Sequence, residues 1–511
     1  MRLNIFQNVF CNCLFIIILI TFFNCNTRHA RPGEYAKPLV KLHCSGCHLA
    51  PSPSLLDKTT WVTSVLPAMA EQLGIEVLQG NVYFHTKQAR ISSSDWQKIV
   101  SYYQTLAPEK LEPHHQLSSV NRDISIFDIK KPKRDSSEVS ATTLTAINPE
   151  DQHIYTSSLN KPALYQWNQK LDKIASEPLE TAAVDIAFDK RQKIVTSMGG
   201  MRALDNTIGQ ILIFDRKRDK VTSGQLSDSY IRPIQTRPVD LNSDGLMDYI
   251  ICSFGHTRGG LFWLRQLTNG KFKNIEIRAS AGATQSETGD FNGDGWKDIV
   301  TLFAHGDEGI WLFLNDRKGG FTTKNLIRFP PVFGSSSFQL ADMNNDGRPD
   351  IIYTAGDNSD YSRILKPYHG LYIFLNKGNM RFEQSAFYPV NGCTKAMAAD
   401  FDLDGDMDIA TISFFADFKN KPEQKFLYFE NFIDSDKSTQ FLKPGTVPVS
   451  KDGRWISMDV NDYDNDGDKD IILGNFSKGF MNQPDLAPTW DTHTPFIILE
   501  NNIKKTIHEI K

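Results

Sequence analysis

The stretch Asp290–Phe303, DFNGDGWKDIVTLF, is a nine-residue aspartate loop that runs straight into an apolar strand. Positions 1, 3 and 5 carry oxygen side chains on one side of a tight turn, and the glycine at position 6 permits the sharp bend. Position 7 offers a backbone carbonyl, and the aspartate at position 9 closes an all-oxygen shell. The same pattern, D-x-[DN]-x-D-G-x-x-D, begins at Asp240, Asp290, Asp342, Asp400 and Asp462, at spacings of 50, 52, 58 and 62 residues. Each copy leads into an apolar strand (YIICS, IVTLF, IIYTA, IATIS, IILGN) and then an aromatic-rich one (LFWLRQ, IWLFLN, LYIFLN, FLYFEN, FIILEN). A third element follows in several, such as Phe272–Arg278. Three or four strands every fifty-odd residues predict the blades of an all-β propeller.

Two degenerate units precede the first loop. One holds Thr145–Ser157 and Leu164–Trp167; the other holds Val184–Ser197 and Ile211–Phe214. Both keep the strand pattern and lose the aspartate loop. Residues 141–511 then divide into seven units of about 53 residues, with six or eight as the neighbouring counts.

The loops offer Asp240, Asn242, Asp244 and Asp248; Asp290, Asn292, Asp294 and Asp298; Asp342, Asn344, Asp346 and Asp350; Asp400, Asp402, Asp404 and Asp408; and Asp462, Asp464, Asp466 and Asp470. Hard oxygen ligands in a roughly seven-coordinate shell suit Ca2+ better than Mg2+ or Zn2+. An EF-hand would need Glu at position 12, where Ile251, Thr301, Tyr353, Thr411 and Leu473 stand, and helices on either side. Without a cation, three or four carboxylates in nine residues repel one another. The five loops and their strands resemble FG-GAP/VCBS repeats, the blades of integrin α-chain propellers and of many exported bacterial proteins. The resemblance runs from about Thr142 to Lys511, strongly from Asp240 onward. It implies up to five structural Ca2+ ions on one face, which would move the formal charge from −4 to +6 and couple ion binding to folding.

The N-terminal part reads differently. Leu14–Phe23 (LFIIILITFF) suits the apolar core of a signal peptide spanning residues 1–24, with a membrane anchor as the second choice. It ends in Phe22-Phe23-Asn24-Cys25, which resembles a bacterial lipobox except for Asn24 before the cysteine. That implies export to the periplasm, outer membrane or cell surface, with a lipid on Cys25 or simple cleavage. Cys44-Ser45-Gly46-Cys47-His48 is C-x-x-C-H, whose spacing lets two thiols reach two porphyrin vinyl groups while the next imidazole reaches the iron. A zinc site needs two more ligands, and a thioredoxin-like motif needs a βαβ setting; neither is visible. Trp61, Val65, Met69 and Leu73 mark one helical face, and Ser92–Asp95 caps a second helix that Pro108 stops. Residues 35–110 resemble a small all-α class I cytochrome c, with Trp61, Val65, Met69 and the pair Tyr102-Tyr103 as the matching positions. The resemblance implies one covalent haem c with His48 and Met69 as axial ligands, and His85 as the alternative to Met69.

Residues 111–140 read as a linker, with one strand within Ile124–Ile129 and a solvated basic run, Lys130–Arg134, open to an acidic partner. Cys252 and Cys393 read as buried free thiols. Hydrophobic residues at 40% and charged residues at 23% mark a folding chain, and a net charge of −4 argues against nucleic acid as a partner. No G-x-S-x-G, H-E-x-x-H, Walker A or G-x-G-x-x-G motif occurs, so no catalytic residue is named. The leading expectation is an exported electron-transfer protein whose propeller meets a redox partner or surface ligand. The alternatives are a surface adhesion or glycan-binding protein with a redox-sensing haem, and a propeller oxidoreductase that passes electrons to the haem.

Overall fold

The computed structural model describes residues 34–79, 81–113, 117, 120, 124–190, 192–215, 221–223, 226, 230–359, 364–433, 440–477 and 487–504. Leu14–Phe23 and Cys25 lie outside the described residues.

Seven four-stranded antiparallel sheets form the blades of a propeller. The two degenerate units are blades, opening with Thr142–Ile147 and Ala183–Phe188. The second strand of each loop-bearing blade, for example Asp298–Phe303, is buried along its whole length. This follows from its continuous β-branched and apolar run, which packs between neighbouring sheets. Outer strands such as Phe321–Arg328 are largely exposed and mixed in composition. Clusters span adjacent blades; one joins Phe401 and Ile412 to Trp455, Leu473 and Phe127. A register shift recurs near the start of the inner strand in all seven blades, at Thr142/Leu144, Ala183/Asp185, Pro233/Gln235, Ala283/Gln285, Ser335/Ser337, Cys393/Lys395 and Trp455/Ser457. Such bulges increase local twist, which a blade needs to radiate from a crowded axis.

The stretch read as a linker holds the strand that completes the ring. Phe127–Lys130 pairs antiparallel with Phe496–Asn501 and is the outer strand of the seventh blade. Phe127 lies edge-on to Phe401 and Tyr428, at 5.8 and 5.9 Å. The basic run is not merely solvated: Lys130 meets Glu500 at 3.6 Å, Lys131 meets Asp452 at 2.6 Å and Arg134 meets Asp491 at 3.7 Å. Its acidic partner is the last blade of its own chain.

Ahead of the ring, helix Lys37–Cys44, helical residues 58–72 and helix Ser93–Leu106 pack around Trp61, Trp96, Tyr102 and Tyr103. Asp57 caps the second helix by accepting from Thr60 N at 2.9 Å, and Ser92 caps the third by accepting from Asp95 N at 3.1 Å. The unit is not wholly helical, because Ile75–Val77 and Tyr83–His85 pair as a short ribbon. A π-turn at Trp61–Val65 adds a residue to the turn and rotates the buried face. Leu66 and Ala70 therefore continue the core, and Met69 is half-buried.

In the six blades whose four strands are consecutive, the first-to-second and third-to-fourth connections share one face of the ring, and the other connections share the opposite face. The aspartate loops occupy the first face. The helical unit sits on the second: Val332 enters its core, Ile364 packs against it, and Tyr368 Oη donates to Leu55 O at 3.0 Å.

Candidate metal loops and the cysteine–histidine unit

Each aspartate loop links the inner strand of its blade to the second strand. The glycine at position 6 is left-handed in all five, with φ of 80°, 85°, 83°, 97° and 91° for Gly245, Gly295, Gly347, Gly405 and Gly467. Only glycine adopts that region without strain. The resulting turn directs amides onto carboxylates: Gly295 N donates to Asp290 at 2.8 Å, and Trp296 N donates to Asp294 at 2.9 Å.

The position 9 aspartates, Asp248, Asp298, Asp350, Asp408 and Asp470, are fully buried. Each accepts from the position 2 amide and from an amide at the end of the third strand; for Asp298 these are Phe291 N at 3.0 Å and Asn315 N at 2.8 Å. These residues therefore tie the loop to the blade as well as facing the loop interior. Burial pushes Asp350 up to about 6, Asp408 up to about 7 and Asp470 up to about 8, well above the ordinary carboxylate range.

The five loops divide into two kinds. The first three carry three carboxylates each and an arginine beside position 5: Arg265 near Asp244 at 3.7 Å, Arg317 on Asp294 at 2.9 Å, and Arg348 on Asp346. Backbone donors first, and the arginines after them, hold Asp244 and Asp294 below their ordinary values. The last two loops carry five carboxylates each, because Asp402 and Asp464 replace asparagine at position 3 and Asp406 and Asp468 stand at position 7. Burial and then neighbouring carboxylates push Asp402 to about 6 and Asp406 to about 7; burial and Asp466 push Asp468 to about 7. Asp400, Asp402 and Asp404 bring carboxylate oxygens within 4.8 Å of one another, and so do Asp462, Asp464 and Asp470. Buried oxygens without a hydrogen-bond partner include Oδ1 of Asp400, Asp406, Asp462 and Asp468 and Oδ2 of Asp466. Anionic oxygens converging without donors fit a hard divalent cation. Asp406 and Asp468 were absent from the sequence-derived ligand set, although a charged residue at position 7 marks both. The arginine counter-ions Arg265 and Arg317 come from outside their loops and only folding reveals them.

In the helical unit, Cys44 is buried and Cys47 exposed, and both are free thiols. Burial, with a smaller contribution from Cys47, pushes the Cys44 thiol up to about 11. A redox dithiol or a zinc thiolate needs the opposite shift. His48 is 8% exposed; its Nδ1 pairs with Leu49 O at 3.1 Å, and its Nε2 is buried without a partner. Burial lowers its basicity, while the Leu49 bond and the Asp307 carboxylate oppose that and Arg328 adds to it. His85 Nε2, Tyr83 Oη and Trp96 Nε1 are also buried and unpartnered. Tyr83 and His85 share one face of the ribbon, and Tyr83 lies edge-on to Trp96 at 5.3 Å. Cys252 and Cys393 are buried and free in separate blades.

The sequence matches the family described as "FG-GAP-like repeat" over residues 240–301 and 290–353. No curated protein matches it. Among solved structures, the calcium-binding protein regucalcin from Agrobacterium tumefaciens str. C58 is similar at 12% identity and a TM-score of 0.36, over 61% of this chain and 95% of that one. The chain carries FG-GAP-like repeats folded as a seven-bladed β-propeller.

Proposed function

We propose that this protein is an exported c-type haem protein in which a helical electron-transfer unit is seated on a calcium-stabilised FG-GAP propeller. One observation carries the reading. In the helical unit, His48 Nε2, His85 Nε2, Tyr83 Oη and Trp96 Nε1 are all buried and unpartnered. Leaving a buried polar atom unpaired costs about 1–3 kcal/mol, so four in one small unit argue for a polar-edged group that completes it. The residues present fit a haem: Cys44 and Cys47 would hold it covalently, His48 would ligate its iron, and Met69 or His85 would supply the sixth ligand. When bound, the group supplies one-electron transfer. The chain's own part is to bury His48, orient it through Leu49 O and exclude water with Trp61 and Trp96.

The aspartate loops bind Ca2+ as structural ions in this reading, most tightly at Asp400–Asp408 and Asp462–Asp470, where carboxylates are most numerous and arginine is absent from position 5. Export, and a lipid anchor at Cys25, follow from the sequence pattern and from where haem is attached. The partner is a redox protein or a ligand at the cell surface.

The test is expression with a cytochrome c maturation system, followed by oxidised and reduced visible spectra and a haem stain of a denaturing gel. Covalent haem in the unaltered chain, and none in Cys44→Ala/Cys47→Ala, is the expected result. A far-red charge-transfer band in the oxidised protein selects Met69; its absence selects His85. No retained haem removes the electron-transfer reading and leaves a calcium propeller with a binding role.

A further inference from the structure

Asparagines join the aspartate loops of neighbouring blades. The third strand of the seventh blade ends at Asn501. Its main-chain N–H donates to Asp470 Oδ1 of its own loop at 2.8 Å. Its side-chain Nδ2 crosses to the sixth blade and donates to Phe401 O at 2.7 Å. Phe401 is position 2 of the sixth-blade loop and stands between Asp400 and Asp402. Its own N–H donates to Asp408 Oδ2 at 3.3 Å. An unbroken line of hydrogen bonds therefore runs from Asp470 through Asn501 and Phe401 to Asp408. All four residues are fully buried, where a lost bond leaves polar atoms unpaired. The link recurs elsewhere. Asn315 joins Asp298 at 2.8 Å to Leu241 O at 2.8 Å, and Asn431 joins Asp408 at 2.8 Å to Met343 O at 3.1 Å. Between the fourth and fifth blades it is broken: Asn376 N meets Asp350 at 2.7 Å, but its Nδ2 meets Pro349 O of its own loop at 3.1 Å. The sixth- and seventh-blade loops also hold the buried, unpartnered Oδ1 atoms of Asp406 and Asp468.

We propose that the sixth- and seventh-blade loops bind Ca2+ as a coupled pair, with Asn501 as the positioning residue that joins them. This rests on the calcium reading above. When Asp462, Asp464 and Asp470 close on a cation, Asp470 is fixed and holds the Asn501 amide in place. The Asn501 side chain then holds the Phe401 carbonyl, and the Phe401 backbone sets Asp400 and Asp402, whose oxygens converge in the other loop. The ordering produced at the first loop is not needed again at the second, so the second ion binds more tightly. Such coupling is reciprocal: each loop raises the affinity of the other by the same factor.

The test titrates the full-length, calcium-stripped protein with Ca2+ against a chromophoric chelator. Asp464→Ala disables the seventh-blade loop and reports the sixth alone; Asp402→Ala does the reverse. The product of the parent's two tight binding constants should exceed the product of the two single-site constants by about fivefold or more. Repeated in an Asn501→Ala background, the ratio of these products should fall to unity. An Asn501 that merely supports the fold would weaken each site and leave the ratio unchanged, so the cycle separates the two roles. A ratio of unity in the presence of Asn501, or a raised ratio that survives its removal, overturns this inference and leaves the calcium reading standing. The comparison with Asn501 intact decides the coupling even where Asn501→Ala folds poorly. No calcium bound at either loop of the unaltered protein overturns both.

Discussion

Single residues around the propeller axis show how the blades are held in order. Inner strands carry Asp185, Arg237, Glu287, Gln339, Lys395 and Asp459. Several stitch one blade to the next through a main-chain amide: Asp185 to Thr236 at 3.1 Å, Glu287 to Leu340 at 3.1 Å, Gln339 to Ala398 at 2.8 Å and Asp459 to Ile147 at 2.8 Å. Charges on distant blades also sense one another, since Lys395 is acted on by Asp459, Asp185 and Arg237. Glu287 lines this axis. It is half-buried by surface area, but protein surrounds its carboxyl, and burial pushes it up to about 7. The folded protein therefore holds this proton more tightly than the unfolded chain, whose glutamate titrates near 4.5. Stability linked to the proton is present at low pH and is lost as pH rises toward 7. Glu287→Gln keeps the acceptor for Leu340 N and removes the charge. It should match the parent near pH 4 and exceed it at pH 8 by up to about 3 kcal/mol. Denaturant midpoints at the two pH values, at constant calcium, check this; an advantage that does not grow with pH contradicts it.

At the scale of elements, the aspartate loops predict a divided calcium response. Asp402→Ala combined with Asp464→Ala should abolish the tighter class of sites in a titration against a chromophoric chelator. Asn242→Ala combined with Asn292→Ala should leave that class in place. Each tight site contributes about 2.7 kcal/mol when free calcium is a hundredfold above its dissociation constant. The first double variant should therefore melt lower in calcium and about level with the parent in chelator. Equal loss in both conditions would make the loops mere turns. These loops were legible in the sequence because the chemistry is local: aspartates, asparagines and a left-handed glycine at position 6, all within nine residues. The first two blades showed only as strands, since their turns at Asn148 and Asp189 close through main-chain hydrogen bonds and lack the aspartate pattern. Arg265 beside Asp244, Arg278 and Arg328 on Asp307 and the stitches along the axis were not legible, because each pair is brought together only by the fold. In the helical unit, the i+4 spacing from Trp61 held until the π-turn rotated the face, a backbone feature that side-chain periodicity does not encode.

At the scale of the whole molecule, the ring is closed by a strand from before its first blade. Phe127 contributes to the core between the last two blades and lies against Phe401 and Tyr428. Phe127→Ala should cost about 3–5 kcal/mol, and deletion of residues 124–130 should cost more by exposing the edge of Phe496–Asn501. Thermal melts of both, beside a surface control such as Lys273→Ala on the exposed strand Phe272–Arg278, check the order. Closure also sets a timetable for the chain. As it emerges, Phe127–Lys130 is made more than 360 residues before the strand it pairs with. Through that interval the helical unit and six blades lack their fastening, and a truncated chain ending before Phe496 never acquires it.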